Sequence, residues 1–123
     1  MMGRRTEKLA KILVLLLTGK ENIHAEMVAF NFAINSVKNA HSTLEFLFLG
    51  RGVQALNSRQ KNSPQFLEQI QELRKNGCIV KACKVSLESE GLDESGIFGN
   101  IDLVLGGVEV NSRIEDGFTV ISF

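Results

Sequence analysis

The chain has two thiols, Cys78 and Cys83, and the second stands where a cysteine can become a nucleophile. Cys78, Ile79, Val80 and Ala82 follow the Asn76-Gly77 break and read as a short apolar strand. Val85 and Leu87, set among Lys, Ser and Glu and closed by Gly91, read as a short helix. Cys83 then falls at the carboxyl end of a strand and the amino end of a helix, the edge of an open α/β sheet at which ligands collect. A helix N-terminus offers unpaired N–H groups and partial positive charge, and Lys84 adds a cation next door. Both favour thiolate. A free cysteine of pKa about 8.5 is only about 3% ionised at neutral pH, whereas one brought to roughly 7 is half ionised. The alternative is a small core residue, since free cysteine is among the most buried residue types.

Other residues fall at the same edge if the strands are parallel: Thr18 and Asn22, Arg51 and Gly52, Lys84, and Gly106 with Gly107. A thiol, an arginine and glycine-rich backbone in one place could hold a small anion beside a nucleophile. The glycine pair could instead cradle a phosphate, but no G-x-G-x-x-G and no Walker lysine motif accompanies it. Gly50-Arg51-Gly52 suits a tight turn that aims a guanidinium at the sheet edge, and is also an ordinary turn sequence. Nothing suggests a Ser/His/Asp triad or paired catalytic carboxylates. No C-x-x-C or histidine cluster points to a metal, and His24 and His41 stand alone. Cys78 and Cys83, on one strand, would lie roughly 16 Å apart on opposite faces, against the ~7 Å a disulfide requires.

The elements that must position these residues alternate between strand and helix. Ile12–Leu17 is a continuous apolar run, as in a strand buried on both faces, and Thr18–Asn22 is the loop after it. The spacing predicts a helix from His24 to Asn39 with two apolar stripes: Ala25, Val28, Ala29, Phe32, Ala33 and Val37, then Met27, Phe30 and Ile34. The second stripe implies either a wide buried face or a subunit contact. Thr43–Leu49 reads as the second strand and Leu56–Asn62 as loop. Ser63-Pro64 opens a second helix that ends at Asn76-Gly77. Gly91–Asn100 reads as loop, Ile101–Leu105 as the fourth strand, Val108–Asp116 as a short helix and Phe118–Phe123 as the last strand. The alternation predicts an α/β sandwich around a mainly parallel sheet, in one domain spanning 1–123 with a frayed, basic segment over 1–10.

Composition narrows the function. The 123 residues are 44% hydrophobic and 23% charged, with fourteen basic and fourteen acidic side chains. Such a balance leaves no electrostatic footprint for nucleic acid or an anionic membrane. The first residues superficially imitate a signal peptide, but Glu7, Lys8 and Lys11 interrupt it and no small-x-small cleavage site follows. No run is long enough to span a bilayer, so the expected location is the cytoplasm.

Three stretches together resemble the DsrE/DsrF-like family: Gly50-Arg51-Gly52-Val53 after the second strand, Ala82-Cys83-x-x-Ser86-Leu87-x-x-x-Gly91-Leu92 after the third, and Glu115-Asp116-Gly117-Phe118 before the last. The likeness runs from Lys11 to Phe123. It implies a three-layer α/β/α fold of flavodoxin-related architecture with a five-stranded parallel sheet, usually assembled as trimers or hexamers. In the family's sulfur-relay members a cysteine at this third-strand position accepts sulfane sulfur as a persulfide and passes it on. That role falls on Cys83 alone, with Arg51 and Lys84 as candidate stabilisers of its anionic forms. Sulfur donor and acceptor proteins are the implied partners, and no cofactor or metal is implied.

Overall fold

Lys-Ile-Leu-Val-Leu-Leu has no polar interior residue, so it is stable only with both faces covered, and it forms the strand around which the sheet is built. The computed structural model describes residues 9–123. That run is β1 (Lys11–Leu16), and with β2 (Thr43–Phe48), β3 (Ile79–Cys83), β4 (Asp102–Val104) and β5 (Thr119–Ser122) it makes one five-stranded sheet in the order β4-β3-β2-β1-β5. All four pairings are parallel. The crossovers are α1 (Ile23–Ala40), α2 (Ser63–Lys75), α3 (Lys84–Ser89) and α4 (Gly106–Glu115). Of segment 1–10, only Leu9 and Ala10 are among the described residues; the Ala10 carbonyl accepts the Thr43 N–H at 2.9 Å.

Strand order and handedness divide the helices. The first three connections step in one direction across the sheet, and the last returns past β1 to β5, so right-handed crossovers put α4 on the face opposite α1–α3. Side-chain alternation agrees. Val14, Leu16, Leu44, Phe46, Phe48, Val80 and Ala82 meet α1 and α2 in the main core. Leu13, Leu15 and Leu47 point the other way, toward Val110 of α4 with Phe118 and Val120. The result is a three-layer α/β/α sandwich, thick on one side and thin on the other. The flavodoxin-type order 2-1-3-4-5 reverses direction early; here the reversal comes at the last connection.

Most of the two stripes on α1 forms one wide buried face, with Val28 of the first stripe left 41% exposed. Ala29, Phe30 and Ala33 are fully buried, while Met27, Phe32, Ile34 and Val37 pack against the same core at its margins. Asn22 caps α1, its Oδ1 accepting the Ala25 N–H at 3.0 Å, and His41 ends it in the left-handed conformation (φ 57°). Pro64 occupies the first turn of α2 as predicted. Gly50–Leu56 is a 3-10 helix of seven residues rather than a simple turn. It starts from Gly50 at φ +58° and presses so close to β1 that a Cβ on Gly52 would lie 1.8 Å from the Leu16 carbonyl oxygen. The helix expected at Val108–Asp116 begins two residues earlier, at Gly106, which places its first turn at the sheet edge.

Candidate functional site

Where adjacent crossovers leave a parallel sheet toward opposite faces, a crevice opens outside the carboxyl ends of the strands. Here that point lies between β3, followed by α3 on the thick side, and β4, followed by α4 on the thin side. Cys83 is the last residue of β3, and Gly106 is the first residue of α4. They meet: a Cβ on Gly106 would be 3.2 Å from the Cys83 sulfur and 2.7 Å from Leu49 Cδ1. Glycine at 106 is what lets the helix start directly on the thiol.

The surroundings of the sulfur decide its protonation. Cys83 is 6% exposed, and burial by itself pushes a thiol pKa up. That effect is overcome by the Ser86 hydroxyl and by the backbone N–H groups of Ser86, Gly106 and Val85, so the Cys83 pKa lies below the ordinary thiol value. The Cys83 side chain makes no capping hydrogen bond of ordinary geometry, so the amides act through longer charge–dipole contacts. The Ser86 oxygen accepts the Gly50 N–H at 2.8 Å, leaving its own proton free to be donated to the sulfur. Cys78 shows the contrast. It faces the main core, and burial pushes its thiol up to about 11. Cys83 is the thiolate-prone cysteine, and Cys78 is a packing residue.

The other predicted site residues divide. Gly106 touches the sulfur, whereas Gly107 points into open space. Lys84 is the exposed first residue of α3 and lines a cavity of about 140 Å³ with Leu87, Leu92 and Leu103. Arg51 is exposed and its Nη2 lies 3.6 Å from Glu21 Oε1. The groups that lower the Cys83 pKa are hydrogen-bond donors, the Ser86 hydroxyl and the backbone N–H groups of Ser86, Gly106 and Val85, rather than either cation. Asn22 caps a helix, Gly52 permits a close backbone approach, and the Thr18 N–H reaches the Phe123 carbonyl at 3.3 Å. These three hold the edge together. Among the described residues no three of His, Cys, Asp and Glu are grouped to hold a metal ion.

Ser86 and Gly50 are the site residues that sequence reasoning passed over. The signal was the Cys-x-x-Ser spacing, which puts a hydroxyl in the first turn of a helix that starts after the cysteine. Ser86→Ala removes a donor to the sulfur and orphans the Gly50 N–H. The Cys83 alkylation profile is expected to move to higher pH, at a stability cost of about 1 kcal/mol. Iodoacetamide rates from pH 5.5 to 10, with urea unfolding, measure both.

The chain is thus an open, parallel α/β sheet protein with Cys83 at its switch point. The chain belongs to the DsrE/DsrF-like family, whose model matches residues 10–123. The ychN protein of E. coli is a structural relative, with a TM-score of 0.78 at 16% identity over 94% of this chain and 100% of that one. Two solved proteins of unknown function are also similar. MTH1491 from Methanobacterium thermoautotrophicum has a TM-score of 0.70 at 16% identity over 94% of this chain and 100% of its own. BT1422 from Bacteroides thetaiotaomicron has a TM-score of 0.70 at 22% identity over 92% and 94%. These likenesses concern the fold. Comparison with curated proteins finds no match.

Proposed function

We propose that the protein is a small cytoplasmic sulfur carrier that accepts and passes on sulfane sulfur as a persulfide on Cys83. The observation that carries this reading is the Cys83 sulfur set among the Ser86 hydroxyl and three backbone N–H groups, which hold its pKa below the ordinary value against the effect of burial. Membership of the DsrE/DsrF-like family supports a role related to sulfur relay. Among the described residues no helix is long and apolar enough to cross a membrane.

The exchange needs no external oxidant. The Cys83 thiolate attacks the outer sulfur of a donor persulfide; an S–S bond forms at Cys83 while the donor's S–S bond breaks, and the donor leaves as a thiolate. Cys83 then carries –S–SH. An acceptor thiolate attacks that outer sulfur, takes it, and returns Cys83 as thiolate. The donors around Cys83 favour the anion at the start and at the end of the cycle. Leu105, Val108 and Ile114, on and beside the thin layer, are more than half exposed, which supports assembly into a homo-oligomer; the trimer or hexamer is what the family resemblance implies.

Incubation with a persulfide donor is expected to add about 32 Da, one sulfur atom, to the Cys83 peptide. The adduct should be absent in Cys83→Ser and retained in Cys78→Ser. An unmodified Cys83 in folded protein would overturn the reading. The burial of Cys83 favours a second reading, an oligomeric small-ligand or partner-binding module with a structural cysteine. That reading requires a native thiol that resists iodoacetamide at every pH.

A further inference from the structure

Glu45 stands in the middle of β2, on the face that α4 covers, with no solvent exposure and no hydrogen-bond partner for either oxygen as an anion. Its nearest cations are Lys81 Nζ at 3.6 Å, from β3, and Arg113 Nη1 at 3.9 Å, from α4. Both are beyond good hydrogen-bond distance. On β1 its register neighbour is the apolar Leu13. The remaining ionisable group facing it is Glu109 of α4. Burial first, and then an O–H donated to Glu109, push the Glu45 carboxyl up to about 7, while Glu109 is held below its ordinary value by that same contact. Glu109 also accepts from Lys81 Nζ at 2.8 Å, and Arg113 pairs with Asp116 at 2.9 Å. With a proton on Glu45, two cations face two anions and one of the two orphaned oxygens acquires a partner. Without it, the cluster holds one surplus buried negative charge, which is costly.

This cluster is also what fastens α4. Among its side chains Val110 packs into the second apolar cluster, whereas Val108 is 64% exposed. Glu109 and Arg113, four residues apart and therefore on one face, turn toward the sheet. Glu109 is less than one helical turn, about 4.5 Å along the axis, from Gly106, the residue that lies on the Cys83 sulfur.

We propose that the Glu45–Glu109 pair, sharing one proton between Lys81 and Arg113, is a positioning device that seats the first turn of α4 on Cys83. It sets how closely the Gly106 N–H approaches the sulfur and how much of the sulfur solvent reaches. The proposal rests on the reading of Cys83 as the working thiol, but its test reads the thiol directly and requires no sulfur transfer. A failure to carry sulfur would therefore leave this result standing.

The experiment is the pH profile of iodoacetamide modification, scored on the Cys83 peptide by mass spectrometry, in protein verified as folded by circular dichroism. Glu109→Ala releases the clamp. It is expected to move the profile to higher pH, because the Gly106 donor withdraws, and to raise the high-pH plateau rate by about three-fold or more, because the sulfur is uncovered. A purely stabilising network predicts a lower unfolding midpoint with both features of the profile unchanged, and that result would overturn the proposal. Glu45→Gln is the conservative variant: its amide N–H replaces the shared O–H, so its profile should stay close to that of the unaltered chain. Should Glu109→Ala not fold, Lys81→Met breaks the same contact from the strand and is judged by the same two features.

Discussion

Phe30→Ala is expected to lower the unfolding free energy by about 3–5 kcal/mol. Domains of this kind are stable by only about 5–15 kcal/mol, so the loss is a large share of the total. The magnitude follows from position. Phe30 is fully buried on α1, and its ring meets those of Phe46 at 5.1 Å, Phe48 at 6.1 Å and Phe66 at 6.1 Å. It thus joins α1, β2 and α2 in a single aromatic cluster. Removing it leaves a cavity that three rigid rings cannot readily close, so the cavity cost adds to the lost transfer energy. Urea unfolding followed by far-ultraviolet circular dichroism measures it. A loss under about 1 kcal/mol would mean that α1 is not seated as described.

The second large effect depends on pH. Glu26 lies on α1 one turn before Ala29 and Phe30, is 1% exposed, and has no hydrogen-bond partner for either carboxylate oxygen. Burial first, and the charge of Glu21 second, raise its pKa from 4.5 to about 7. A carboxyl whose folded pKa exceeds its unfolded value favours the fold in its neutral form. The contribution is fully present below pH 4.5 and is lost as pH rises through 7, a span worth about 3 kcal/mol. Glu45 adds to the loss over the same window. Glu26→Gln cannot ionise, so its stability relative to the unaltered chain should rise by about 2–3 kcal/mol between pH 4.5 and pH 8. Urea midpoints at the two pH values provide the comparison. A difference that stays constant with pH would show that Glu26 is charged and accommodated in the folded state.

Much of the architecture was legible because its signals are local. The unbroken apolar run of β1, the mostly apolar β2, Pro64 in the first turn of α2 and the breaks at Asn76-Gly77 and Gly117 each mark an element without reference to the rest. So does the junction at Cys83, where strand gives way to helix at the residue the pattern indicated. What stayed hidden depends on contacts across the fold. A 3-10 helix such as Gly50–Leu56 has no apolar period of its own and is shaped by the approach of β1. The Gly106 start of α4 is recognisable only once Leu49 and Cys83 are known to lie beneath it. Arg51 and Lys84 were expected beside the thiol because charge is the strongest sequence-level cue for stabilising an anion. Ser86 and backbone amides do that work instead, and amides have no sequence signature. Glu45 and Lys81, however, had left a trace: each is a lone charge inside an otherwise apolar strand, a pattern that calls for a buried partner.

Cys78 turns into the main core and Cys83 away from it, with the sheet between them. Neither can reach the other within one molecule, so whatever adduct forms at Cys83 has no resolving thiol at home. Its discharge is therefore bimolecular by construction. The rate must scale with the concentration of a second reactant, and an isolated chain bearing such an adduct should keep it until it collides with one.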